Sequence, residues 1–273
     1  MLIAVPNVSE GRDVAALDAI GAAFGPGLVH ASHDPDHHRA VFTVKGEPGA
    51  LAGHVLAGAR EAVARVDLTR HEGAHPRVGA IDVAPIVYLD PAQRGAAVAE
   101  ALVLADRLAH ELELPVFLYG ALAGGRTRAD LRRGGPEALE RRVESGELAP
   151  HAGPRRLHPT AGAVLVAARP PLAAFNLELA APLETARRIA AAIREGGTEG
   201  LAGVRALGLH LPRQGIVQVS TNIEDLTRTT PADVVRAVQR HALVTGAELI
   251  APAPRSAFAG FPADVPLRGA PLL

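Results

Sequence analysis

Short blocks of apolar residues recur along this chain with two different periods, and the order of the blocks repeats. Residues 2–6 (LIAVP) form an apolar run of strand length, and 14–24 (VAALDAIGAAF) carry apolar positions at helical spacing, with Asp13 placed to cap the helix. Residues 28–32 and 39–45 read as strands separated by the polar insert HDPDHH. A helix is expected over 48–66, since proline is favoured in a first helical turn. A loop rich in glycine and histidine then feeds the strand 81–89 (IDVAPIVYL). The order is strand, helix, strand, strand, helix, strand.

The second half repeats it. PLAAFNLEL precedes a helix over 183–195, strands VRALGLHL and GIVQVSTN follow, and a helix over 231–245 leads to AELIAP. Between the halves lie a helix over 92–112, strand PVFLYG, a polar stretch and strand AGAVLVAAR. The repeated order resembles a split βαβ unit used twice, an α+β protein with two ferredoxin-like βαββαβ subdomains and a cleft between them. The stiff segment AARPP sets the expected boundary, giving subdomains 1–168 and 169–273. Residues 120–153, rich in Gly, Arg and Glu, are expected to be a mobile excursion with one short helix near 136–144.

Composition narrows the function classes. The chain has 273 residues, 48% hydrophobic and 21% charged, as in a folded globular protein. A net charge of −1 and 3% aromatic residues give no basis for nucleic-acid or anionic-membrane binding. With no cysteine, disulfides, thiolate metal sites and a cysteine nucleophile are excluded. The N-terminus lacks a signal-peptide pattern and no apolar run reaches a membrane span, so a cytoplasmic location is expected.

The chemistry concentrates in HEGAHPRVGAID, residues 71–82. Imidazoles transfer protons near neutrality or bind metal, and Gly73, Pro76 and Gly79 hold them on a loop rather than a helix. The letters fit the zinc-binding HExxH pattern, but glycine and proline oppose the helix that pattern requires, so no metal is expected. The preferred reading is a catalytic imidazole with Arg77 as an anion clamp; histidines satisfied within a turn are the plainer alternative. In HDPDHHR, His33 and His37 are read as solvent-exposed, whereas Arg39 opens a strand and points inward. In VPNVSEG, Asn7, Ser9 and Glu10 bind ligand or cap the helix, with equal weight. Gln218, Ser220 and Asn222 share one face of a strand, facing solvent or a crevice. No phosphate-binding loop is present.

Taken together, VPNVSEGRD, DPDHHRAVFTVKGEP, RHEGAHPRVGAIDVAPIVYL, LPVFLYG, GPRRLHPTAGAVLVAARPPLAAFNLEL, ARRIAAAIRE and VQVSTNIEDL occur in the order of the formiminotransferase domain of the glutamate formimidoyltransferase family, which this chain resembles over most of residues 1–260. The resemblance implies two similar subdomains, a homodimer, and transfer of the formimino group from N-formimino-L-glutamate to N5 of the co-substrate tetrahydrofolate. It implies His75 as the catalytic histidine. Folate binding falls on the 153–162 loop, through Gly153, Pro154, His158, Pro159, Thr160 and Gly162. Substrate binding is expected from Arg39, Arg77, Asn7 and Glu10, with Glu72 and Asp82 as further carboxylates near a cationic formimino group. Two positions depart from the family pattern: His38 stands where asparagine is usual, and His30 where aspartate is common. A cyclodeaminase domain is not expected. An ATP-dependent 5-formyltetrahydrofolate cyclo-ligase and a folate-binding protein without turnover stay open as alternatives.

Overall fold

A computed structural model of the protein describes every residue except Ala74 and divides into two compact units, Met1–Pro170 and Pro171–Leu273. The first unit contains β1 (Leu2–Ala4), β2 (Asn7–Val8), α1 (Val14–Ala23), β3 (Leu28–Asp34), β4 (Arg39–Gly46), α2 (Leu51–Arg65), β5 (Ile81–Val87), α3 (Arg94–Glu111), β6 (Val116–Leu118), α4 (Arg128–Arg132), α5 (Gly135–Glu144) and β7 (Val164–Arg169). Its sheet runs β3, β4, the broken strand β1/β2, β5, β7, β6. The first four positions, joined through α1 and α2, are the antiparallel ferredoxin-like set; β7 and β6 extend it in parallel beyond β5.

Both faces of this sheet are covered. Along β7 the period of two sends Val164, Val166 and Ala168 into a core with Phe24, Leu51, Ile86 and Leu104, on the side of α1, α2 and α3. Leu165 and Ala167 point the other way, into a second cluster with Leu131, Leu139, Val143 and Leu148. Those last residues belong to the stretch expected to be mobile. It is instead a packed layer: Leu139 and Val143, four apart on α5, and Leu131 on α4 are buried, while Arg133, Glu137, Glu140, Arg141 and Glu144 around them are exposed. α5 itself lies where the short helix was expected.

Asp13 caps α1 as expected, accepting from the Ala16 amide at 3.0 Å. α2 starts at Leu51 rather than at Pro48. The reason is long-range: the buried Glu100 carboxylate on α3 accepts from the Gly49 and Ala52 amides, capping the helix there.

The second unit contains β8 (Ala173–Leu179), α6 (Leu183–Ile193), β9 (Val204–Leu211), β10 (Ile216–Ile223), α7 (Pro231–Gln239), β11 (Val244–Leu249) and β12 (Leu267–Gly269). The sheet order β11, β8, β10, β9 is antiparallel throughout and again ferredoxin-like, with β12 added parallel to β11. A Thr230–Asp233 capping box with Pro231 in the first turn starts α7. The helix ends six residues short of the expected Thr245, because Val244 opens the β11 pairing with Leu179. Gln218 on β10 is buried, so that polar face is not simply solvated. Among the described residues, no helix is long and apolar enough to cross a membrane.

Replacing Leu131, which is fully buried, by alanine is expected to cost about 2–5 kcal/mol in urea unfolding. A change below about 0.5 kcal/mol, typical of surface positions, would mean that the 120–153 layer contributes nothing to the first unit.

Candidate active site

The centre of the site is a carboxylate that the sequence hides inside an apolar strand. Asp82 on β5 is fully buried and accepts from Arg39 Nη1 at 2.7 Å, from the Val78 amide at 2.8 Å, and from Arg132 Nη2. Burial by itself would raise the Asp82 carboxyl. The Arg132 and Arg39 guanidiniums and these hydrogen bonds outweigh it, and the group lies below its ordinary value. Arg39, at the start of β4, also donates through Nε and Nη2 to Asn7 Oδ1 at 3.0 and 2.8 Å. Burial lowers its guanidinium to about 10, against the pull of Asp82, so it stays charged at neutral pH. Two guanidiniums on one carboxylate leave a net positive charge at this point of the first unit.

His75 lies beside this cluster. Its Nδ1 is 2.7 Å from the Pro76 carbonyl, which can only accept, so Nδ1 carries a proton. Burial holds the imidazole well below its ordinary value, and Arg39, Arg132 and His37 act in the same direction. The ring is therefore neutral, and Nε2 presents a lone pair. His37 lies 6.0 Å away, ring centre to ring centre. The expectation of a solvent-exposed His37 fails: the residue is buried, because its backbone amide bonds to Asp34 Oδ1 and turns the chain inward. His33 is exposed, as expected.

The remaining expected ligand-binding side chains are engaged with the protein. Arg77 Nη2 donates to the His71 carbonyl at 2.6 Å, and Nη1 to the carbonyls of Gly73 and His75 at 3.2 and 3.4 Å. It staples the loop from inside. Glu10 Oε1 accepts from the amides of Gly11, Arg12 and Asp13, where α1 begins, and faces His38 Nε2 at 3.1 Å. Asn7 accepts from Arg39 and donates to the Val5 carbonyl, and Ser9 donates to the Gly79 carbonyl. In this segment the structural reading accounts for every contact found. Glu72 is exposed, while Asp82 is consumed by its two arginines.

The two glycine-rich loops meet. Gly79 bridges Gly162, the Ala80 amide donates to the Ala161 carbonyl at 2.8 Å, and the Ala163 amide to the Val78 carbonyl at 2.9 Å. Gly162 has a φ of +68°, and a Cβ there would lie 2.2 Å from the Val78 oxygen, so only glycine permits this approach. His158 and Gly162 exchange both backbone hydrogen bonds at 2.9 Å. His158 Nδ1 accepts from the Thr160 and Ala161 amides, closing a turn with the exposed Pro159 near its tip. The 158–162 turn thus sits against the histidine loop, whereas Gly153 lies beside the Leu114 carbonyl.

Sequence reasoning missed Arg132. Its stretch looks solvated by composition, and the signal was the few apolar residues within it, Leu131 beside Arg132 and the pair Leu139 and Val143 four apart. Asp82 was the second signal, since a carboxylate within a continuous apolar strand needs buried partners.

A two-unit α+β protein with a neutral imidazole beside a buried arginine–carboxylate cluster belongs to a definite class. The chain is a member of the formiminotransferase domain family: residues 1–169 match the N-terminal subdomain and residues 174–260 the formiminotransferase domain. It is 37% identical to the formimidoyltransferase-cyclodeaminase of Sus scrofa over 270 residues, 93% of this chain and 50% of that protein. It is 34% identical to the glutamate formimidoyltransferase of Streptococcus pyogenes serotype M1, covering 93% of this chain and 89% of that protein. With the glutamate formimidoyltransferase of Thermoplasma acidophilum the identity is 33%, over 82% of this chain and 77% of that protein. The chain spans about half the length of the formimidoyltransferase-cyclodeaminases it matches.

Burial, Arg77 and His38 also lower the His71 imidazole, to about 4. Because this lies below the ordinary 6.5, the unfolded chain takes up the proton first as pH falls. Unfolding free energy should therefore decline from about pH 6.5 to about pH 4. In urea titrations across that window, His71→Gln is expected to flatten the slope; an unchanged slope would remove His71 as a cause.

Proposed function

We propose that this protein transfers the formimino group from N-formimino-L-glutamate to N5 of tetrahydrofolate, giving 5-formiminotetrahydrofolate and L-glutamate, with His75 moving the proton. The reading is supported by family membership and by relatives that carry the name glutamate formimidoyltransferase. The observation that carries the mechanism is the neutral His75 ring, whose Nδ1 is tied to the Pro76 carbonyl and whose Nε2 is basic.

Attack of folate N5 on the formimino carbon forms a tetrahedral centre bearing three nitrogens. N5 must lose a proton and the glutamate nitrogen must gain one before it can leave. Nε2 of His75 takes the first and returns it to the second, so the imidazole ends neutral and the proton count closes. The positive Arg39–Asp82–Arg132 cluster supplies a counter-charge for a carboxylate of the donor. The turn formed by His158, Pro159, Thr160 and Gly162 receives the folate, with Gly153 and Pro154 at the loop's other end. In this reading Arg77 serves catalysis indirectly, by fixing the backbone that carries His75. Asn7 does so by orienting Arg39, and Glu10 by fixing the start of α1. The working form in this reading is a homodimer, as the family resemblance implies, and it acts in the cytoplasm, as expected from the sequence.

The direct assay mixes purified protein with formiminoglutamate and tetrahydrofolate and follows 5-formiminotetrahydrofolate. His75→Ala should lower kcat by about 10²–10⁴-fold while folate affinity changes little. Full turnover in a folded His75→Ala protein would remove this residue from the chemistry.

A further inference from the structure

His38 departs from the family pattern, and nothing in the proposed chemistry uses it. It is one of only two non-glycine residues with positive φ among the described residues, at +50°. Histidine is among the few side chains that tolerate this conformation, which keeps its ring pointed at the 71–77 loop rather than along β4. Four contacts converge on it. Nδ1 is 2.9 Å from the Glu72 carbonyl, and Nε2 is 3.1 Å from Glu10 Oε1. The His38 carbonyl accepts from His71 Nε2 at 3.0 Å, and the two rings stack at 3.9 Å with 14° between their planes. The loop is pressed onto the same residue: a Cβ at Gly73 would lie 2.6 Å from the His37 oxygen and 2.7 Å from the His38 Cβ. Carbonyl and carboxylate both accept, so the ring meets both only when each nitrogen carries a proton. The Glu10 carboxylate, fixed by three backbone amides where α1 begins, supplies the compensating charge.

We infer that His38 is a positioning residue: spanning Glu10 and the Glu72 carbonyl while stacked on His71, it clamps from outside the loop whose inner staple is Arg77, and so sets the orientation of His75. This deepens the proposed function and rests on it for its kinetic consequence. The geometric claim is separable, because the state of the His75 ring is observable without substrate. Asparagine also adopts positive φ and can donate one of the two hydrogen bonds, but its amide cannot span both acceptors.

The experiment compares wild type, His38→Ala and His38→Asn in steady-state transfer and in ¹⁵N imidazole spectra of the substrate-free protein. His38→Ala should lower kcat by about 10–100-fold, with KM for both substrates within about threefold, and His38→Asn should recover part of the loss. In the spectra, His75 should pass from a single Nδ1–H tautomer in wild type to a mixture in His38→Ala. A folded His38→Ala or His38→Asn protein with wild-type kcat and an unchanged His75 tautomer would overturn the inference. So would a loss confined to KM. Absence of transfer by wild type would count against the proposed function instead, and the tautomer spectra alone would then decide the role of His38.

Discussion

One buried carboxylate holds the first unit's chemistry in place. Asp82 has no contact with solvent, and its oxygens gather a guanidinium from β4, another from α4 and an amide from the histidine loop. Removing one partner of a buried ion pair typically costs about 3–5 kcal/mol, because the other charge is left without compensation. Three parts of the chain that are distant in sequence are therefore fixed to one point. The excess positive charge has a second effect: burial is the main cause that keeps the adjacent imidazole neutral, and the two guanidiniums act in the same direction.

The histidine loop depends on this anchor at its end and on two staples along its length. Val78 is tied to Asp82, Arg77 binds three carbonyls of residues 71–75, and His38 holds the outer side. The 158–162 turn is joined to the same loop through Gly79 and Gly162, so the proposed proton carrier and the proposed folate turn rest on shared backbone hydrogen bonds. A site built this way is preorganised by main chain as much as by side chains.

Much of the fold was legible because periodicity and capping act locally. The βαββαβ order in each half, the Asp13 cap and the α5 helix all follow from neighbouring residues. The errors have non-local causes. Glu100 reaches across from α3 to decide where α2 begins, and pairing with β8 takes Val244 away from α7. The 120–153 layer was obscured by its charge, although Leu131, Leu139 and Val143 marked its buried side. In the site, the loops were identifiable from their glycines and histidines, but partner choice was not. Arg39 is recognisable as an inward-pointing cation at the start of a strand, but nothing near it announces that Asp82, 43 residues away, holds it. Nothing in the sequence pairs Asp82 with Arg132.

The account turns on whether His75 works as a base whose affinity for protons has been lowered by its surroundings. The pH dependence of kcat/KM for formimino transfer tests this most directly, since its acid limb reports the free enzyme's essential base. The account predicts activity that persists below pH 6.5, the ordinary histidine value, and falls only well beneath it. An acid limb at or above 6.5 would contradict it.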